Sequence, residues 1–358
     1  MKINNEIIAG RYITNNHLEM VLDKLDKSIF KIEIAGKSVQ EKNIYKLQFG
    51  TGNFKVLLWS QMHGNESTTT KAVFDFLIDI SNGLYKEFLN NFSFIFIPIL
   101  NPDGASAYTR VNANAIDLNR DSKDLTQPES KLLRDIFDAF KPDLALNMHD
   151  QRTIFSVGDS DSPATLSFLA PAFNDDRDIN EVRTYAMQLI AYMAQELAGE
   201  IPGQVGRFDD SFNINCIGDM FTYLNVPTIL FEAGHYQNDY NREFTREMVY
   251  NSLKQLFKTI INKDYEKFSV ADYLAIPENE KRLVDILITN FKGNNEFAKK
   301  TAIPVIYKEV VNNGIISFLP SVDFDSAPNF KYGHITLDFN GLEINSEKEL
   351  VMMLNEIH

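Results

Sequence analysis

Four runs of apolar, β-branched and aromatic residues punctuate the first two thirds of the chain, at 56–59, 94–100, 144–147 and 228–231. Each is short and nearly continuous, the pattern of a strand covered on both faces. Helical periodicity fills the intervals: residues 69–80 follow a Ser/Thr cluster suited to capping, 129–140 stop before Pro142, and 182–198 form the longest stretch. Strands that alternate with helices predict an α/β fold, a mixed but mostly parallel twisted sheet with helices on both faces.

Two further regions flank that pattern. Residues 30–49 alternate polar and apolar positions around Gly36, which predicts an edge hairpin turning at that glycine. From about residue 260 the texture changes: a charged stretch at 279–291 reads as helical, and short strand-like runs follow at 303–307, 314–319 and 334–339. A chain of 358 residues exceeds what one core usually supports. We therefore expect a main domain over 1–262 and a small α+β appendage over 263–358 whose role the sequence does not reveal.

Composition narrows the partners. Apolar residues make up 44% and aromatics 12%, enough for a large core, while the net charge is −14 and no dense Lys/Arg block occurs. Neither nucleic acid nor an anionic membrane is expected to bind, because both depend on positive charge. Cys216 is the only cysteine, so no intrachain disulfide can form, and a lone packed thiol is expected rather than a catalytic one. The segment Met1–Glu6 has no export signal, and no later stretch has the length and apolarity of a membrane span. The expectation is a cytoplasmic protein, unless an export signal preceded this sequence.

Each of the four buried runs is followed at once by polar residues: Met62-His63-Gly64-Asn65-Glu66, Asn101-Pro102-Asp103-Gly104, Met148-His149-Asp150 and Glu232-Ala233-Gly234-His235. Ligands of open α/β sheets bind beyond the carboxyl ends of the strands, so neighbouring strands would gather these groups. His63 and Glu66 form His-x-x-Glu, which lets an imidazole and a carboxylate clasp one cation. His149 can add a third donor, giving two His and one carboxylate with a fourth position open, a catalytic zinc set. The loop from Arg110 to Arg120 carries two arginines and three asparagines, residues that bind carboxylates and carbonyls rather than pack cores.

Taken together and in order, His63-Gly64-Asn65-Glu66, Asn101-Pro102-Asp103-Gly104, Arg110, Asp117-Leu118-Asn119-Arg120, His149 and Glu232 resemble the motifs of the zinc carboxypeptidases. The likeness covers about residues 50–240 and is strongest to the shorter bacterial members. It implies a carboxypeptidase-like catalytic domain over 1–262 and one Zn²⁺ per chain on His63, Glu66 and His149. Glu232 would be the general base and Arg110 the oxyanion stabiliser. Asn119 and Arg120 would grip the free C-terminal carboxylate of a peptide substrate.

The animal members carry a mobile tyrosine some twenty residues before the catalytic glutamate. Here no Tyr lies between Tyr192 and Tyr223, and Phe208 or Phe212 occupies that region. The floor of the specificity pocket is expected near 215–219, from either Ile217 or Asp219. His235 reads as a structural residue, Asp103 as a turn residue, and Asp150 and Arg152 as either pocket-lining or solvated. Two other functions stay open: an N-acyl amino-acid deacylase resembling the aspartoacylase and succinylglutamate desuccinylase group, and a metal-free protein that binds peptide ends through Arg110 and Arg120.

Overall fold

The buried runs lie side by side in the computed structural model, which describes residues 8–294, 297–324 and 330–357; Met1–Glu6 lies outside them. Strands β1 (Lys31–Lys37), β2 (Asn43–Phe49), β3 (Phe54–Ser60), β4 (Phe92–Ile97), β5 (Leu144–Asp150), β6 (Phe155–Val157), β7 (Leu166–Leu169), β8 (Val205–Arg207) and β9 (Thr228–Ala233) come first along the chain. All but β6 join one eight-stranded sheet in the order β1-β2-β4-β3-β5-β9-β7-β8. Strands β4, β3, β5 and β9 are parallel neighbours, and the antiparallel pairs β1–β2, β2–β4 and β7–β9 lie toward the edges.

Alternation along these strands splits the core into two layers. Val56, Leu58, Phe94, Phe96, Leu144 and Leu146 face one side, where α1 (Asn15–Leu22), α2 (Thr68–Ser81) and the later helices α6 (Glu181–Leu197) and α8 (Glu243–Asn262) contribute residues to the same cluster. Leu57, Trp59, Ile95, Ile97 and Ala145 face the other, covered by Leu133 and Phe137 of α5 (Pro128–Phe140) and Phe221 of α7 (Ile217–Tyr223). Helices on both faces are therefore a direct result of the unbroken apolar runs. The short helices α3 (Lys86–Asn91) and α4 (Pro102–Ala107) complete this part, and among the described residues no helix is long and apolar enough to cross a membrane.

Several local expectations need correction. The β1–β2 turn falls at 38–42, and Gly36 instead marks a register shift within β1. The Ser/Thr cluster before α2 supplies no side-chain cap; the Asp150 carboxylate at the end of β5 accepts the N–H groups of Thr68 and Thr69 instead, at 2.8 and 3.3 Å. Asp103 is buried in α4 and accepts the N–H of Gln40, so it tethers the hairpin rather than merely turning the chain. The stretch 279–291 is not helical: it forms β10 (Asn279–Lys281) and β11 (Leu283–Thr289). Three of its four charges, Glu280, Lys281 and Arg282, precede Leu283, and the largely β-branched remainder packs into a sheet.

After α8, helix α9 (Val270–Leu274) still packs on the main core, with Tyr273 and Ile276 inside its cluster. The separate sheet begins at β11 and runs β14-β13-β11-β15, with β13 (Ile303–Asn312), β14 (Ile315–Val322) and β15 (Tyr332–Asp338), and the short strands β12 (Lys292–Gly293) and β16 (Glu343–Ile344) form a parallel pair of their own. Helix α10 (Glu347–Ile357) adds Leu350 and Leu354 to its core. Strand β10, just before β11, pairs with β6, just after β5, in a two-stranded ladder of its own.

Two glycines fix the loops that leave β3 and β4. A Cβ on Gly64 would sit 1.9 Å from the backbone carbon of Gly104, and one on Gly104 would meet Val111 O at 2.7 Å. Asn101 locks the contact, donating to Met62 O at 3.2 Å and accepting the Gly104 N–H at 2.8 Å. Replacing Gly64→Ala forces backbone apart from backbone and is expected to cost about 2 kcal/mol of stability. A lowered thermal unfolding midpoint would show it; an unchanged midpoint would contradict the packing described.

Candidate active site

The donors meet where the sheet reverses direction of growth. From β3 the chain adds β4 on one side, then returns to place β5 on the other, and the crevice between β3 and β5 is a topological switch point. His63 and Glu66 follow β3, and His149 is the penultimate residue of β5. Glu232 sits directly opposite His149 in the β5–β9 register. Since Phe231 and Ala233 point into the α2/α8 layer, Leu230 and Glu232 face the opposite side, where they line the cleft with Asn147.

His63, Glu66 and His149 are all buried, and their ligand atoms lie within 4.8 Å of one another. His63 Nδ1 and His149 Nδ1 are 3.1 Å apart, and each faces a different Glu66 oxygen, at 2.8 and 2.7 Å. Four lone-pair atoms thus converge on one point. Tetrahedral zinc with ligands at about 2.0–2.1 Å would hold donors about 3.3 Å apart, so a small outward movement of these atoms converts the cluster into a zinc site. The residues fit the metal.

The surrounding charges favour that state. Asp117 Oδ1 lies 3.0 Å from His63 Nε2, so a proton on Nε2 leaves Nδ1 free to ligate. Burial opposes ionisation of Glu66, yet the two imidazoles hold its carboxyl far below the usual range. Burial likewise opposes protonation of His63, but Glu66 and Asp117 outweigh it and raise the imidazole. Burial raises Glu232 well above an ordinary carboxyl, helped by repulsion from Glu66 and Asp150.

A hollow of about 410 Å³ opens from this cluster and is lined by His63, Glu66, Arg110, Asn119, Arg120 and Glu232, while His149 is buried against Glu66. Arg110 Nε donates to Asp117 Oδ2 at 3.0 Å, and the side chain is half exposed beside Glu66. Asn119 accepts the N–H of Ile217 at 3.0 Å, which ties the loop to the start of α7. Arg120 donates to Asn119 O at 2.7 Å and to the Cys216 thiol at 3.2 Å. Burial pushes that thiol up to about 11, so it is no ready nucleophile. Asn112 serves the loop itself, accepting the N–H groups of Asn114 and Ile116, both at 3.1 Å.

At the floor the structure separates the two alternatives. Ile217 packs into the α5/α7 core layer, whereas Asp219 lines the hollow, and burial pushes its carboxyl up to about 7. Of the two phenylalanines, Phe208 lines the cleft, edge-on to Phe155. Arg152 and Asp150 line it too, Arg152 exposed and Asp150 buried, where its carboxylate also caps α2. His235 lies outside the converging group, packed between the rings of Tyr240 and His334 at 4.6 and 4.3 Å. Sequence reasoning gave Asp117 and Asp150 no definite part in the metal centre. Their positions, one opening the Asp-Leu-Asn-Arg run and one following His149, were the available signal.

Fold and donor set together define an α/β metalloprotein with an open-sided centre of two histidines and one carboxylate. The zinc carboxypeptidase family model matches residues 18–198, just over half the chain, and the chain belongs to that family. "Probable carboxypeptidase 2" of Arthroderma benhamiae is 26% identical over 121 residues, 33% of this chain and 22% of that protein. Carboxypeptidase 2 of Trichophyton rubrum is 28% identical over 100 residues, 27% of this chain and 19% of that one. The chain thus spans about a fifth of the length of these curated relatives.

Solved structures share the fold. A metallo-carboxypeptidase from Burkholderia cenocepacia superposes with a TM-score of 0.55 at 17% identity, over 70% of each chain. Carboxypeptidase A from Helicoverpa armigera gives 0.54 at 17% identity, over 74% of each chain.

Removing a second-sphere partner should weaken metal binding without destroying the ligand set. Asp117→Asn is expected to lower zinc affinity about 10- to 100-fold, measured by competition with a chromophoric chelator. His63→Ala should abolish stoichiometric zinc altogether, and zinc retained in that variant would refute the triad.

Proposed function

We propose that the protein is a zinc-dependent carboxypeptidase that removes one residue from the C-terminus of a peptide. The observation that carries this reading is the convergence of two Nδ1 atoms and both Glu66 oxygens on one buried point, beside Glu232 in strand register. A zinc ion held there supplies Lewis acidity for the scissile carbonyl and lowers the pKa of a water.

The chain's own residues perform the rest. Glu232 takes a proton from the attacking water and delivers it to the leaving amine. Arg110 faces the developing oxyanion, its guanidinium steadied by Asp117. Asn119 and Arg120 receive the substrate's carboxylate, Arg120 through its planar fork. That grip restricts cleavage to the last peptide bond, and Asp219 at the floor favours a cationic side chain on the departing residue.

Two measurements test this. Glu232→Gln is expected to keep zinc and substrate affinity while kcat falls about 10²- to 10⁴-fold; near-normal turnover would remove Glu232 as the base. Asp219 is neutral below about 7 and ionised above it. The kcat/KM ratio of lysine- over leucine-terminated peptides should therefore climb as pH rises through about 7, and Asp219→Asn should flatten the climb. A ratio independent of pH in the unmodified protein would leave Asp219 no part in selection.

A further inference from the structure

The cleft continues past the triad. A second hollow, of about 360 Å³, shares Glu66, Arg110, Asp150, Gln151 and Arg152 with the first, but Asn119, Arg120 and Asp219 do not line it. It therefore opens on the side of Arg110 away from the carboxylate grip. Its far wall belongs to the C-terminal sheet: Tyr307 and Glu309 from β13 and Phe318 from β14. Glu309 and Phe318 are cross-strand partners, so they stand together on that wall.

The wall is fixed in place. Glu309 reaches into the main domain, accepting the Tyr108 hydroxyl at 2.6 Å and pairing with buried Arg11. Asp285 of β11 accepts the Tyr240 hydroxyl at 2.9 Å and the Tyr307 N–H at 2.8 Å. The Tyr240 ring centroid lies 5.1 Å from both Tyr307 and Phe318. These bonds also satisfy the acidic groups of the hollow. Arg242 is likewise engaged, donating to the carbonyls of Ala233 and Gln151, both at 2.6 Å. The rings of Tyr240, Tyr307 and Phe318 thus face the hollow from its far wall, while Arg110 and the exposed guanidinium of Arg152 stand at the junction with the first hollow.

We propose that the C-terminal sheet is the acyl-side wall of the substrate cleft, and that this hollow takes an aromatic or large apolar side chain from the residues preceding the scissile bond. The inference rests on the carboxypeptidase reading. With the terminal carboxylate on Asn119 and Arg120 and the scissile carbonyl at Arg110, the rest of the peptide leaves past Arg152 into this hollow. Arg152 donates to its backbone carbonyls there, and the rings of Tyr240, Tyr307 and Phe318 bury the side chain.

The test uses the zinc-loaded full chain and three peptides, acetyl-Gly-Gly-X, acetyl-Phe-Gly-X and acetyl-Gly-Phe-X, where X is lysine or leucine, whichever is released faster. At least one phenylalanine peptide should show kcat/KM about tenfold above the glycine peptide. Phe318→Ser and Tyr307→Ser should each reduce that ratio at least about threefold, with zinc content and thermal midpoint confirming a folded protein. Ile315→Ser alters an exposed residue of the same sheet that does not line the hollow and should leave the ratio at its original value. A ratio near one in the unmodified protein, or a ratio untouched by both wall variants, overturns the proposal while leaving the peptidase reading intact. Failure to cleave any of the three overturns both.

Discussion

Everything at the centre of this molecule follows from Glu66 being held, buried, between two imidazoles. A carboxylate withdrawn from water is costly unless opposite charge or hydrogen bonds compensate it. Here the compensation comes from His63 and His149, whose Nδ1 atoms face the same point as its two oxygens. The inward-facing atoms that satisfy the carboxylate through imidazole protons can instead surround a cation, because all of them point at one place. The fold keeps the donors together through rigid parts: the glycine-to-glycine contact behind His63, the backbone N–H of Asp150 on Glu66 at 3.2 Å, and the β5–β9 ladder.

Strand pairing is the precise element of the design. Ladder hydrogen bonds allow little sliding, because a one-residue slip would turn every side chain to the wrong face. Setting His149 and Glu232 opposite each other therefore fixes the spacing between one member of the buried triad and a second carboxylate. Asp150 extends the same logic across the sheet: the residue after His149 caps α2, which itself begins just after Glu66. The ends of β3 and β5 are thus coupled by a side chain as well as by the ladder.

Much of this was legible from residues alone, for local reasons. Buried parallel strands announce themselves as continuous apolar runs, and polar residues at their ends mark the functional rim, so the sheet and the triad followed from pattern and position. What escaped depends on register or rotation. Ile217 and Asp219 stand two residues apart on a helix, about 200° around its axis, and only the packing of α7 decides which faces the cleft. The stretch from Asn279 opens with three consecutive charges that suit an exposed helix as well as a strand, but β10 is recruited by β6, over a hundred residues earlier. Gly36 has the composition of a turn yet lies within β1. The wall formed by Tyr307, Glu309 and Phe318 had no sequence signature, since its meaning arises only from what it faces.

The bond network around Glu309 joins Arg11, near the first described residue, to a strand almost three hundred positions later. During synthesis the metal donors and Glu232 emerge well before that strand does. A nascent chain therefore holds an unfinished, open cleft, and the last closure is made by residues that arrive after all the chemistry-bearing groups. A chain ending before Ile303 would thus keep the buried triad and Glu232 while leaving open the side of the hollow that Tyr307, Glu309 and Phe318 line.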